Sequence, residues 1–159
     1  MKDILDLDRY PLDREGSPEW NHLVEQSIEA LRADGMFNLE GFLRPSVAEQ
    51  AVREIRPVMD TQSHVHKRMH NIYFKPDIPE LASDHPALRK VETISHTVCA
   101  DQIPGSTVLA IYEYEPLVRF LAATMGKAKL HVMQDPLART NVMAYRDRKS
   151  TRLNSSHRP

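Results

Sequence analysis

The chain reads as an α+β protein. Two observations predict that class: helical apolar periods dominate its first two thirds, and alternating strand patterns gather near its end. A third bounds the size. At 159 residues, 41% hydrophobic and 27% charged, the chain has the length and composition of one modest globular domain.

Residues 1–16 read as an extended lead-in, punctuated by Tyr10-Pro11 and Glu15-Gly16. Ser17-Pro18-Glu19 then opens a helix. Ser17 is a capping side chain, Pro18 suits the first turn, and Glu19 faces the positive helix end. Trp20, Leu23, Val24, Ile28 and Leu31 form its apolar stripe, and Asp34-Gly35 stops it. Met36 to Leu39 reads as a short strand closed by Gly41. A second helix starts at Pro45-Ser46, where Ser46 and Glu49 have capping-box spacing. Val47, Ala51, Ile55 and Val58 give its buried face, and Pro57 marks a last turn or kink.

Between 60 and 83 the pattern loosens. A short strand is expected around 71–74, within loops. A third helix is expected from Ser83 or Asp84, with Pro86 in its first turn. Leu88, Val91, Ile94, Val98 and Cys99 form its buried face, and Pro104-Gly105 ends it. A short helical or irregular piece covers 106–113. A helix near 115–125 follows, lined by Leu117, Phe120, Leu121 and Met125 and ended by Gly126. Lys129 to Met133 and Arg139 to Tyr145 alternate as strands around an Asp135-Pro136 turn.

Asp147 to His157 has no apolar period. It agrees, codon by codon, with the translation of a common sequencing adapter. Residues 147–159 are therefore expected to be a non-native tail, with the natural protein continuing past Arg146. The chain has 21 basic and 22 acidic residues. Without residues 148–159, which carry Arg148, Lys149, Arg152 and Arg158 and no acid, 17 basic residues stand against 22 acidic ones, a net charge of about −5. Such an acidic body gives no electrostatic reason for binding nucleic acid or an anionic membrane. The N-terminus lacks a signal-peptide pattern, and Cys99 is the lone cysteine, a core residue with no disulfide partner. A reducing cytoplasm fits.

Three segments carry a family resemblance. Ala30 to Leu43, with the capped helix that follows, resembles the N-terminal region of phytanoyl-hydroxylase-like iron(II)/2-oxoglutarate-dependent oxygenases. His70-Asn71-Ile72-Tyr73-Phe74 with Asp84-His85-Pro86 looks like the bacterial branch of radical halogenases and hydroxylases of free amino acids. Asn141 to Asp147 looks like the strand just before the metal motif. The resemblance covers nearly all of 17–146. It implies a helical N-terminal layer and the first strands of a double-stranded β-helix, or jelly roll. It also implies a parent enzyme that uses Fe(II) and 2-oxoglutarate on a small-molecule substrate.

The departure is that no His-x-Asp or His-x-Gly follows Tyr145, and neither a distal His nor a 2-oxoglutarate Arg can be placed. The fragment is thus expected to bind neither cofactor and to be inactive. By resemblance, Asn141 and Tyr145 on one strand face are candidate 2-oxoglutarate contacts; the alternative is that Tyr145 is barrel packing and Asn141 pairs with backbone. His66, His70 and Asn71 are candidate substrate-facing residues. His64, His66 and His70 also admit a small His-rich, cupin-like metal protein, although imidazole pairs need a third ligand. Tyr112-Glu113-Tyr114-Glu115 fits either a cationic amino-acid contact or a solvated helix start. A complete, non-catalytic helical interaction domain is the remaining reading.

Overall fold

The computed structural model describes residues 1–75 and 78–145; the expected adapter-derived tail lies outside them. It is a mixed helix and sheet protein, as its α+β pattern predicts. The helices are α1 (Pro18–Asp34), α2 (Pro45–Gln62), α3 (Thr107–Tyr112) and α4 (Glu115–Thr124). The strands are β1 (His64–His70), β2 (Val91–Cys99) and β3 (Asn141–Tyr145), in sheet order β1-β2-β3. The chain divides into two compact units. The first comprises Met1–Val58 and Cys99–Thr140; the second comprises Met59–Val98 and, among the described residues, Asn141–Tyr145.

In the first unit, α1 begins as its sequence dictates. Ser17 Oγ accepts from Trp20 N at 3.1 Å, and Pro18 occupies the first turn. Gly35 closes the helix in the left-handed region, φ 72°, donating its N–H to Leu31 O. Trp20, Leu23 and Val24 face inward, and α1 packs on α4. Helix α2 starts at Pro45, so Ser46 lies inside the first turn rather than at a cap, and the expected capping box is replaced. Val47 N and Ala48 N donate to Arg44 O instead. The helix runs through Pro57 to Gln62.

Several sequence expectations are corrected. Residues 1–16 are no extended lead-in: they fold as turns, and Leu5, Leu7, Tyr10 and Leu12 are buried beside Trp20 and Phe120. Leu5 bridges to Leu43, while 36–39 and 129–133 form no strand. The expected third helix is replaced by a 3-10 turn at Pro86–Leu88 and then by strand β2. The spacing of Val91, Ile94 and Val98 suits a helix. Five of the nine residues of β2 are nonetheless β-branched, which disfavours a helix and suits a pleated surface. The 71–74 segment is a turn, and the strand lies just before it as β1. Met125, expected on the apolar face of α4, is exposed at its C-cap.

Glu54 of α2 ties the start of α3 in place. Thr107 N donates to its Oε2 at 2.8 Å, and Thr107 Oγ1 donates to its Oε1 at 2.9 Å. The Thr107 amide, then the Gln50 side chain, hold the Glu54 carboxyl below its ordinary pKa, against the opposing effect of burial. A depressed folded pKa stabilises above the unfolded carboxylate pKa and ceases to do so as pH falls through the folded value. Glu54→Gln should therefore destabilise the chain at neutral pH. That deficit should shrink on acidification through the carboxylate range. Urea midpoints measured against pH for both proteins check this; a gap that stays constant rules out the linkage.

Among the described residues, no helix is long and apolar enough to cross a membrane.

Candidate functional site

The residues singled out from the sequence gather on the sheet of the second unit. Strands β1 and β2 pair antiparallel with His64 opposite Thr97, His66 opposite Ser95, Arg68 opposite Thr93 and His70 opposite Val91. Side chains alternate along a strand, so His64, His66, Arg68 and His70 share one face, with Ser95, Thr93 and Thr97 beside them. The other face carries Val65, Lys67 and Met69, with Lys67 paired to Glu92 at 3.0 Å.

At the end of β1 the chain turns sharply. Asn71, buried, spends its side-chain amide on that turn. Its Oδ1 accepts from Tyr73 N at 3.1 Å and Lys75 N at 3.2 Å, and its Nδ2 donates to Lys75 O. The turn places Phe74 at φ 55°, the left-handed region that non-glycine residues seldom adopt. That conformation lays the Phe74 ring flat on His70, with centroids 4.2 Å apart and planes 10° apart. The Arg68 guanidinium sits 5.1 Å from the same ring. His70 is fixed at both nitrogens, Nδ1 to Asn71 O at 2.9 Å and Nε2 to Thr93 Oγ1 at 3.0 Å. The result is an oriented patch of Arg68, His70, Phe74 and Thr93.

His70 and Asn71 are thus brought together, while His66 lies along the same face of β1, exposed to solvent. Asn141 and Tyr145 share one exposed face of β3 with Met143, as their alternation predicts; Val142 and Ala144 face the opposite way, half-buried. Tyr145 Oη reaches Met143 Sδ at 3.7 Å. His64, His66 and His70 align on one face, but among the described residues no three His, Cys, Asp or Glu side chains converge to hold a metal ion. The acids of Tyr112–Glu115 are already engaged: Glu113 pairs with Arg139, and Glu115 with Arg119. They border a cleft of about 750 Å³ in the first unit, whose other wall includes Lys127, Lys129 and His131.

Sequence reasoning missed Arg68 and Phe74 as members of the patch. The available signal was parity: His64, His66, Arg68 and His70 are separated by even numbers, which a strand turns into one face.

Comparison with known proteins returns no matching family model, no matching curated protein and no matching solved structure.

Proposed function

We propose that the chain is the N-terminal part of an iron(II)/2-oxoglutarate-dependent oxygenase, a hydroxylase or halogenase of a small molecule such as a free amino acid. The observation that carries this reading is strand β3. It offers Asn141 and Tyr145 on one open face, as a strand lending polar side chains to a cosubstrate requires. Two further features support it: the helix, Asp-Gly turn and second helix of residues 18–62, and a sheet compatible with the opening of a jelly roll. In this reading Asn141 and Tyr145 contact 2-oxoglutarate. His66 and His70 face the substrate, and Asn71 acts by holding the turn that orients His70 and Phe74. A cytoplasmic location accords with it.

Fe(II) does not fit the described residues, which hold no converging ligand set. Its two His and one carboxylate, or two His and a halide, would have to come from sequence after Tyr145. No step of the reaction is therefore assigned to this chain. Its residues bind and orient.

Sequencing the source gene across the codons for Tyr145 to Asp147 tests the reading. The expected result is a frame that continues into a Gly-containing loop and His-x-Asp for a hydroxylase, or His-x-Gly or His-x-Ala for a halogenase. A gene that encodes Arg148 to Pro159 and stops overturns both the oxygenase and the adapter assignments. The chain itself, given Fe(II) and 2-oxoglutarate, should release no succinate; coupled decarboxylation would refute its status as an inactive fragment.

A further inference from the structure

Five histidines lie among the described residues of the second unit, and three of them already spend ring nitrogens. His70 is held at both of its nitrogens, His85 Nδ1 accepts from Ala87 N at 3.2 Å, and His96 Nδ1 shares a hydrogen bond with Ser63 Oγ at 3.1 Å. His64 and His66 remain. Both are exposed, and neither has a hydrogen bond or ion pair among the described residues.

The two stand two positions apart on β1, so their side chains leave the same face of the strand, beside Thr97 and Ser95 of β2. A strand rises about 3.3 Å per residue, which sets the roots of the two side chains about 6.6 Å apart. Imidazoles rooted at that spacing can close on one ion, each at about 2.0–2.1 Å. The ladder to β2 fixes the backbone beneath them, so little ordering is left for a ligand to impose. The neighbouring cations are committed elsewhere. Lys67 leaves the opposite face and pairs with Glu92, and the Arg68 guanidinium lies over the Phe74 ring.

Two imidazoles fall short of the two His and one carboxylate that Fe(II) requires, and among the described residues no third His, Cys, Asp or Glu joins them. They suit a late first-row ion that takes nitrogen ligands and completes its shell with water. Imidazole serves Cu(II), Ni(II) and Zn(II), and affinity peaks at Cu(II), whereas Mg(II) and Ca(II) demand oxygen ligands.

We propose that His64 and His66 chelate a late first-row divalent cation, Cu(II) most tightly, on the exposed face of β1. The site is open and exchangeable, because water holds the remaining positions. It needs no residue beyond Tyr145, so its test is independent of the oxygenase reading. A bound ion takes the His66 imidazole that the oxygenase reading directs to substrate.

Titration of the full chain with copper sulfate in a non-coordinating buffer, followed by NMR of the histidine rings, tests the proposal. Substoichiometric Cu(II), being paramagnetic, should broaden the His64 and His66 ring signals before those of the other histidines. Calorimetry should rank Cu(II) above Ni(II) and Zn(II), with no binding of Mg(II). His64→Ala and His66→Ala should each weaken Cu(II) binding roughly tenfold or more, at least what the loss of an outer-sphere partner costs a metal site. His131→Ala should leave it unchanged. Rescue tests the geometry. In the His64→Ala background, Arg68→His supplies an imidazole two positions from His66 on the same face and should recover binding. Val65→His supplies one on the opposite face and should not. Circular dichroism verifies that each variant folds. No Cu(II) binding, uniform broadening of all histidines, binding indifferent to both alanine variants, or rescue by Val65→His as good as that by Arg68→His would each overturn the proposal.

Discussion

Phe120→Ala should lower the unfolding free energy of the first unit by about 3–5 kcal/mol, the largest loss expected from any single substitution here. The Phe120 side chain is fully buried, and its ring meets Phe37 edge-on at 5.9 Å and 90°. It packs in one cluster with Leu5, Leu7, Tyr10, Leu12, Trp20, Leu23 and Val24, so both the N-terminal segment and α1 lose contacts if it shrinks. Small domains hold only about 5–15 kcal/mol in reserve, so such a loss brings the unit near its midpoint in mild denaturant. Trp20 is the only tryptophan and lies in the same cluster, so its fluorescence follows this unit's unfolding. Met125→Ala supplies the contrast. Sequence periodicity assigned Met125 to the same buried stripe, but it is exposed, and its truncation should change stability by less than about 0.5 kcal/mol. Equal effects at the two positions would contradict the packing described for α4.

Why the periodic pattern succeeded at Phe120 and failed elsewhere is a question of where the structural information resides. Helix α1 was legible because its cap, first-turn proline and terminating glycine are local signals, satisfied within a few residues. Strand β3 was legible because its residues alternate. Strand β1 was not: one face is wholly polar, Lys67 interrupts the apolar pair Val65 and Met69 on the other, and what makes it a strand is the ladder it forms with β2, 21 residues beyond its end. Strand β2 was misread as a helix because Val91, Ile94 and Val98 satisfy the helical spacing. Local β-branching and the partner strand outweighed that spacing, as tertiary context commonly does. The lead-in failed for another reason. Leu5, Leu7, Tyr10 and Leu12 sit among acids with no sustained helical period, and they are buried by turns whose partners lie at Phe42 and Arg44. At the candidate site, the shared face of Asn141 and Tyr145 followed from alternation alone. The left-handed Phe74 had no marker in its own identity, since its conformation is imposed by a side chain three residues earlier.

That dependence gives the second large effect. Asn71→Ala should cost about 2 kcal/mol in the second unit and dismantle the patch of Arg68, His70 and Phe74. The alanine offers no acceptor for Tyr73 N or Lys75 N and no donor for Lys75 O, so all three side-chain contacts that close the turn are lost together. Phe74 then keeps only its backbone bond to Asn71 O and its ring contacts with His70 and Arg68, too little to hold it at φ 55°, a conformation that survives only where its surroundings over-determine it. Its relaxation carries the ring off His70. The change should be visible without any enzymatic assay: in the unsubstituted chain the stacked ring should shift the His70 Cε1 proton upfield, and Asn71→Ala should return it toward the free-histidine position. Faster amide exchange at Tyr73 and Lys75 should accompany the change. Asn71→Asp keeps the acceptor and loses the donor, so it should fall between the two. Phe74→Gly separates conformation from stacking, because glycine accepts a positive φ without strain but has no ring to stack. It should abolish the ring shift at His70 while preserving slow exchange at Tyr73 and Lys75. If Asn71→Ala leaves the His70 shift in place, the turn is not what orients the patch, and Phe74 must be held by contacts of its own ring.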